Sequence, residues 1–149
     1  MSKETERLTV GTRHRLQMHV DERLTVPALS SAFTGFTDMP PVLATAFMVG
    51  FIEWACIELL RTALPPDFKT VGTHIDVSHV APTPVGMTVM AEVELISVAA
   101  RNLRFHVQCS DEAGLIGQGT HERAIVDAAK FLKRVSAKRA LATRERGNV

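Results

Sequence analysis

The run PPVLATAFMVGFIEWACI, residues 40–57, carries a single charge, Glu53, and that pattern limits the folds open to the chain. A helix that is apolar on nearly every side must be enclosed by other structure. An ionised carboxylate drawn in with it costs several kcal/mol unless a partner compensates. A membrane span is the competing reading of such a run. It is set aside because Glu53 and Gly50 interrupt the run, two prolines open it, and Glu58 and Arg61 follow directly. The expectation is a buried helix from about residue 44 to 63, stopped by Pro65-Pro66. A carboxylate in such a place is usually kept for chemistry, and Thr45 and His79 are its candidate companions.

At 149 residues the chain suits one domain, 1–149, with a real core. A formal net charge of +1 offers no field for nucleic acid, and neither zinc-finger spacing nor an aromatic RNA-binding motif occurs. Nucleic acid is therefore not an expected partner. Cys56 lies in the apolar run and Cys109 in a strand pattern, the usage of small buried hydrophobes rather than of a disulfide framework. The N-terminal MSKETERLTVGTRHR lacks the apolar core of a signal peptide. Both features predict a cytoplasmic protein.

Around the helix the sequence reads as strands. Leu16, Met18 and Val20 alternate with Gln17 and His19, predicting a strand over 12–20. A Ser/Thr/Gly/Pro-rich loop from Pro27 to Pro41 carries Phe33 and Phe36. After the helix, TVGTHIDVSHV alternates. Beyond the turn APTPVG, the stretch MTVMAEVELISV places Met87, Val89, Ala91, Val93 and Leu95 on one face. Leu103, Phe105, Val107 and Cys109 oppose Asn102, Arg104, His106 and Gln108, and a turn at Asp111–Gly114 leads into LIGQGTHERAIVD. Residues 128–141 read as a short amphipathic helix that opens a basic tail, 128–149. Because antiparallel sheets bury one face and this helix needs covering, the expected class is α+β, a curved antiparallel sheet wrapped around a long central helix.

The succession of Thr45, Glu53 in the helix, VGTHIDVSHVAPTPVGMTVMAEVEL and RNLRFHVQCSDEAGLIGQGTHERAIVD resembles the hotdog-fold acyl-CoA thioesterases, nearest to the fluoroacetyl-CoA thioesterase-like branch. The resemblance covers a core of roughly residues 12–133 and rests on a spacing, a proline-glycine turn and a Gly-x-Gly-x-His-x-Arg strand. It implies a catalytic set of Thr45, Glu53 and His79. It also implies a homodimer or dimer of dimers with sites near the subunit interface, and an aromatic gate in the loop of Phe33 and Phe36. The substrate it implies is a small or medium acyl-CoA, with coenzyme A entering as part of the substrate and no separate cofactor.

Thioester hydrolysis needs a nucleophile or activated water, a proton donor for the leaving thiolate where required, and donors for the oxyanion. Glu53 is expected to orient His79 as general base, or itself to activate water or attack the carbonyl. Thr45 positions substrate or serves as nucleophile; its plain alternative is an N-cap. Glu53 alternatively sits half exposed where the helix leaves the sheet, and His79 is one of six histidines. Gly72 permits close backbone approach to the acyl group. His121 and Arg123 share a strand face with Gly117, Gly119, Leu115 and Ile125, which suggests a substrate pocket or, for Arg123, a buried ion pair. Phe33 and Phe36 form a lid or pack over the helix end. Lys130, Lys133, Arg134, Lys138 and Arg139 form a solvated face or attract the phosphates of coenzyme A.

Other chemistries lack their motifs. No His-Glu-x-x-His or Cys/His zinc spacing occurs, so no metal is expected. Gly117-Gln118-Gly119 lies in a strand pattern with no helix opening after it, which excludes a dinucleotide fingerprint, and no Gly-x-Ser-x-Gly elbow is present. The alternative function is a non-catalytic acyl-CoA binding or sensing module on the same fold. A hydratase would need an Asp and His pairing that the sequence does not offer.

Overall fold

In the computed structural model, which describes residues 2–147, the long helix α1 (Thr45–Leu60) is cradled by five antiparallel strands. They are β1 (Arg13–His19), β2 (Phe68–Val77), β3 (Thr88–Ala99), β4 (Asn102–Asp111) and β5 (Gly114–Asp127), arranged in one sheet in the order β1-β3-β4-β5-β2. A second helix, α2 (Ala128–Arg146), follows β5 directly. The fold is the α+β sheet-around-helix arrangement that the alternation implies. Residues 148 and 149 of the basic tail and Met1 lie outside the described residues.

The core forms where the period-two strands meet the helix. Val89, Ala91, Val93 and Leu95 of β3 and Leu103, Phe105, Val107 and Cys109 of β4 are buried against Met48, Phe51, Ile52, Ala55, Cys56, Leu59 and Leu60 of α1. The two central strands alternate as their sequences require, because each has a neighbour on both sides and helix on one face only. Both cysteines are free and buried, and burial pushes their thiols up to about 12, so both stay protonated and inert.

Four local expectations are corrected. The helix is not enclosed all round: Thr45, Ala46, Gly50 and Trp54 form an exposed edge, with Val49, Glu53 and Ile57 half-buried beside it. In β2 the alternation fails, since residues 72–76 are all exposed; the strand is the sheet's edge, and its register with β5 shifts between Gly72 and His74. Leu115 leaves the inner face because a register shift opposite Cys109/Ser110 adds one residue to β5 and turns Ile116 inward instead. Finally, α2 runs to Arg146, longer than its expected end, and none of its residues is buried. Asp127 caps it, accepting from the Lys130 N–H at 3.0 Å.

The loop ahead of α1 is built from short 3-10 turns, Val26–Ala28 and Thr34–Phe36. At its end Leu43 N–H donates to the Thr83 carbonyl at 2.8 Å, and Val42 bridges Pro84. This tie holds the start of α1 against the loop that follows β2.

Phe105 is the largest side chain with no exposed surface, in the middle of the cradle. Phe105→Ala is expected to destabilise the fold by about 3–5 kcal/mol, read as a lowered midpoint in denaturant unfolding with an unchanged slope.

Candidate active site

Two polar clusters interrupt the apolar contact between α1 and the sheet. The first joins Thr45 to His79. The end of β2 continues its pairing with β5 beyond Val77: Ser78 N–H donates to the Gln118 carbonyl at 2.9 Å and Val80 N–H to the Ile116 carbonyl at 2.7 Å. With both neighbours pinned in the plane of the sheet, the side chain of His79 stands out of that plane toward α1. The approach is possible because residue 117 is glycine; a Cβ there would collide with the Ser78 carbonyl oxygen and press on the Met48 side chain. His79 Nδ1 lies 2.7 Å from Thr45 Oγ1.

Thr45 is the first helical residue and not an N-cap. Ala44 occupies the cap position with extended backbone and no side-chain hydrogen bond. The Ala44 carbonyl accepts from the N–H groups of Phe47 and Met48, each at 3.0 Å. The amides of Thr45 and Ala46 come before the first intrahelical donor, and both residues are exposed. Hydroxyl, imidazole and open amides thus share one end of the helix. Burial pushes the His79 imidazole below its ordinary pKa, with the Ala81 backbone offsetting part of the effect. Its Nε2 is buried and has no partner among the described residues. The ring is therefore neutral near pH 7, and Nδ1 can accept the Thr45 proton.

The second cluster surrounds Glu53, whose side chain is 38% exposed. The carboxylate is half-buried, as the plainer sequence reading has it. Arg123 Nη1 donates to Glu53 Oε1 at 3.0 Å and lies 3.1 Å from His121 Nε2. Its Nε donates to Thr70 Oγ1 at 2.8 Å and its Nη2 to the Thr70 carbonyl at 2.9 Å. His121 Nδ1 lies 2.7 Å from the His74 carbonyl, which can only accept, so this nitrogen carries the proton. Desolvation lowers the His121 pKa, opposed by the bond to His74 and reinforced by the Arg123 charge. Gly72 pairs with Arg123 across the β2/β5 ladder, and the Glu53 carboxylate occupies the space a Cβ at Gly72 would fill. A cavity of about 410 Å³ opens beside this cluster, lined by Val49, Glu53, Gly72, Thr73, His74, Ile75 and His121.

The structure thus pairs Thr45 with His79, and Glu53 with Arg123 and His121, but does not bring Glu53 to His79. Glu53 lies eight residues along α1 from Thr45, ~12 Å at 1.5 Å per residue. Within one chain, Arg123 stands beside the Glu53 carboxylate, where His79 is expected. Arg123 forms the buried ion pair that was one of its two sequence readings, and His121 is buried while lining the cavity. Phe33 and Phe36 stack edge to face at 5.7 Å on the loop before α1, with Phe33 exposed. Thr70 escaped sequence reading, although its position two residues before Gly72 places it on the same strand face. Among the described residues no group of three His, Cys, Asp or Glu is placed to hold a metal, and no helix is long and apolar enough to cross a membrane.

Comparison with known proteins gives one consistent result. The family profile described as fluoroacetyl-CoA-specific thioesterase matches residues 20–129. A fluoroacetyl-CoA thioesterase from Streptantibioticus cattleyicolor is 40% identical over 131 residues, 88% of this chain and 94% of that protein. A solved structure of a fluoroacetyl-CoA thioesterase superposes with a TM-score of 0.86 at 40% identity, covering 88% of this chain and 97% of its own. A thioesterase superfamily member from Thermus thermophilus shares the fold, with a TM-score of 0.79 at 24% identity over 92% of this chain and 98% of its own.

Gly72→Ala tests the packing around Glu53. The new Cβ competes with the end of a flexible side chain, so the carboxylate is expected to rotate off Arg123 with a stability change under about 1 kcal/mol. A crystal structure of the variant checks this. An intact Glu53–Arg123 bond beside a shifted β2 would show that the backbone yields instead.

Proposed function

This chain belongs to the fluoroacetyl-CoA-specific thioesterase family, and from that membership and the site geometry we propose that it hydrolyses a small or medium acyl-CoA to the free acid and coenzyme A. The observation that carries this reading is the 2.7 Å contact between Thr45 Oγ1 and His79 Nδ1 at an uncapped helix start. A module that only binds acyl-CoA has no need of a hydroxyl aligned on a neutral imidazole.

In the proposed reaction His79 Nδ1 takes the Thr45 proton as Oγ1 bonds to the thioester carbonyl carbon. The amide N–H groups of Thr45 and Ala46 donate to the oxygen of the tetrahedral intermediate. Collapse breaks the C–S bond, and the departing thiolate takes the proton from His79. A water molecule, deprotonated in turn by His79, attacks the carbonyl carbon of the acylated Thr45; the C–Oγ1 bond breaks, His79 returns the proton to Oγ1, and the free acid leaves. No separate cofactor or metal takes part, since coenzyme A arrives with the substrate. Phe33 and Phe36, on the loop leading into α1, serve as the lid, and Gly72 admits the acyl group next to Glu53.

The proposed assembly is a homodimer in the cytoplasm. The exposed apolar edge of α1, with Trp54 45% exposed, runs beside the unpaired outer edge of β2, where Ile75 is 39% exposed. A second copy covering this edge would bury both, and would set the Thr45–His79 pair of one protomer opposite the Glu53 cluster of the other. Two buried, unreactive thiols suit a reducing compartment.

Three measurements bear on these statements. Steady-state hydrolysis across short acyl-CoAs is expected to show His79→Ala and Thr45→Ala slowed about 10²–10⁴-fold, with Thr45→Ser retaining most activity; a fully active Thr45→Ala would assign the attack to water. Because the base must be neutral, kcat/KM should rise with pH, and the lowered His79 pKa places the midpoint of that rise below the ordinary 6.5. For the shared site, in which Glu53 of one protomer would orient or charge-stabilise His79 of the other, Thr45→Ala and Glu53→Gln proteins, each expected to be inactive alone, are mixed through an unfold–refold cycle. About a quarter of wild-type activity should return if the halves meet across a two-fold axis, and none if each protomer is self-sufficient.

A further inference from the structure

We propose that Thr83 is a positioning residue for the Thr45–His79 pair: its hydroxyl fastens the loop after β2 to Asp111 at the end of β4, while its carbonyl holds the chain that leads into α1. The inference deepens the thioesterase reading and rests on it. It starts from the segment APTPVG, residues 81–86, to which the proposed reaction gives no part.

Thr83 stands between two exposed prolines, Pro82 and Pro84, yet has no exposed surface of its own. Neither proline has an N–H to donate, so they cannot tie the loop to its neighbours through that group. Each also biases the residue before it toward extended backbone. Thr83 supplies the anchorage instead. A buried hydroxyl without a partner is costly, and this one donates to Asp111 Oδ2 at 2.8 Å. The other carboxylate oxygen of Asp111 accepts from the Ala113 N–H at 2.8 Å, so the acceptor is itself fixed by its own turn. The adjacent Glu112 accepts from the Thr88 N–H at 2.9 Å. The β4–β5 turn thereby grips the loop on both sides of Gly86.

The second tie runs to the helix. The Thr83 carbonyl accepts from the N–H of the buried Leu43 at 2.8 Å, and Thr45 follows two residues later. On its other side the same stretch is held by Leu24, whose carbonyl accepts from the Ala44 N–H at 3.0 Å. His79 precedes Thr83 by four residues. One residue therefore joins the two chain segments that carry the reacting pair. The pairing of Ser78 and Val80 with β5 fixes His79 relative to the sheet, not relative to the helix. The helix start is brought into line at Thr83. Because a misplacement of about 1 Å at reacting groups can cost on the order of 100-fold in rate, slack in this loop should register in kcat.

The test is Thr83→Val in the full-length protein, which keeps the side-chain shape and the carbonyl bond and removes only the hydroxyl. Assays are run at a temperature where circular dichroism shows the variant fully folded. With the best short acyl-CoA, kcat is expected to fall about 3–10-fold with KM changed less than about 2-fold, and Thr83→Ser to retain wild-type kcat. In a His79→Ala background Thr83→Val should cost nothing further, because its effect passes through the imidazole. The 15N resonance of His79 Nδ1 should move toward that of a free neutral imidazole in Thr83→Val and stay in place in Thr83→Ser. Should Thr83→Val fold poorly, Asp111→Ala cuts the same bond from its half-buried end and is expected to give the same fall in kcat, again absent in His79→Ala. Unchanged kcat in folded Thr83→Val overturns the proposal. An equal loss in both backgrounds reduces Thr83 to a structural residue, and a rise in KM at constant kcat makes the loop a substrate contact; either result also overturns it. Absence of hydrolysis by the wild-type protein across the acyl-CoA panel would remove the thioesterase reading, and this proposal with it, whereas active wild type with an additive cycle removes this proposal alone.

Discussion

An apolar helix with no polar face forces the rest of the molecule into shape. α1 contributes seven buried residues to the core, and the strands that meet them, β3 and β4, are central in the sheet and buried on the inner side. Covering a helix from one side with a sheet needs curvature and several strands, which the β3–β4–β5 meander supplies. It also leaves an edge. Where the sheet ends at β2, a strip of the helix stays open from Thr45 to Trp54, and the polar chemistry of the protein collects along that strip. The open edge accounts for both the site and the surface proposed to meet a second copy.

Along this strip, polar groups survive partial burial because each is supported from the sheet. Thr45 reaches His79, whose position depends on Gly117 letting the chain after β2 lie close to β5. Glu53 reaches Arg123, whose plane is set by Thr70 and His121. In each pair a residue of the helix meets one from the sheet side, so the alignment is only as exact as the packing of α1 on the strands. Glycine serves both pairs for the same steric reason: at 117 and 72 a methyl group would occupy space already filled by a carbonyl oxygen or a carboxylate.

Much of this was legible in the chain. The alternation of Val89 to Leu95 and of Leu103 to Cys109 survives as the inner faces of β3 and β4, since central strands have no freedom to do otherwise. Legibility failed at the margins. β2 reads as alternating but lies at the edge, where one face and one side are open and burial no longer follows sequence. Leu115 reads as inward until one extra residue in β5 shifts the register. The C-terminal helix reads as amphipathic, yet makes few contacts, and its apolar residues Leu132, Val135 and Leu141 remain exposed.

By itself the sequence determined the architecture and the roster of polar residues, because hydrophobic periodicity and a lone carboxylate in an apolar run are local patterns with few physical solutions. Which residue partners which was decided only in three dimensions. Within one chain Glu53 and His79 do not meet and two separate pairs form, since eight residues of helix place Glu53 two turns from Thr45 and opposite a different strand. Side chains 34 and 70 positions apart in the chain are brought together by strand register and by the bulges that shift it, and no local pattern encodes either.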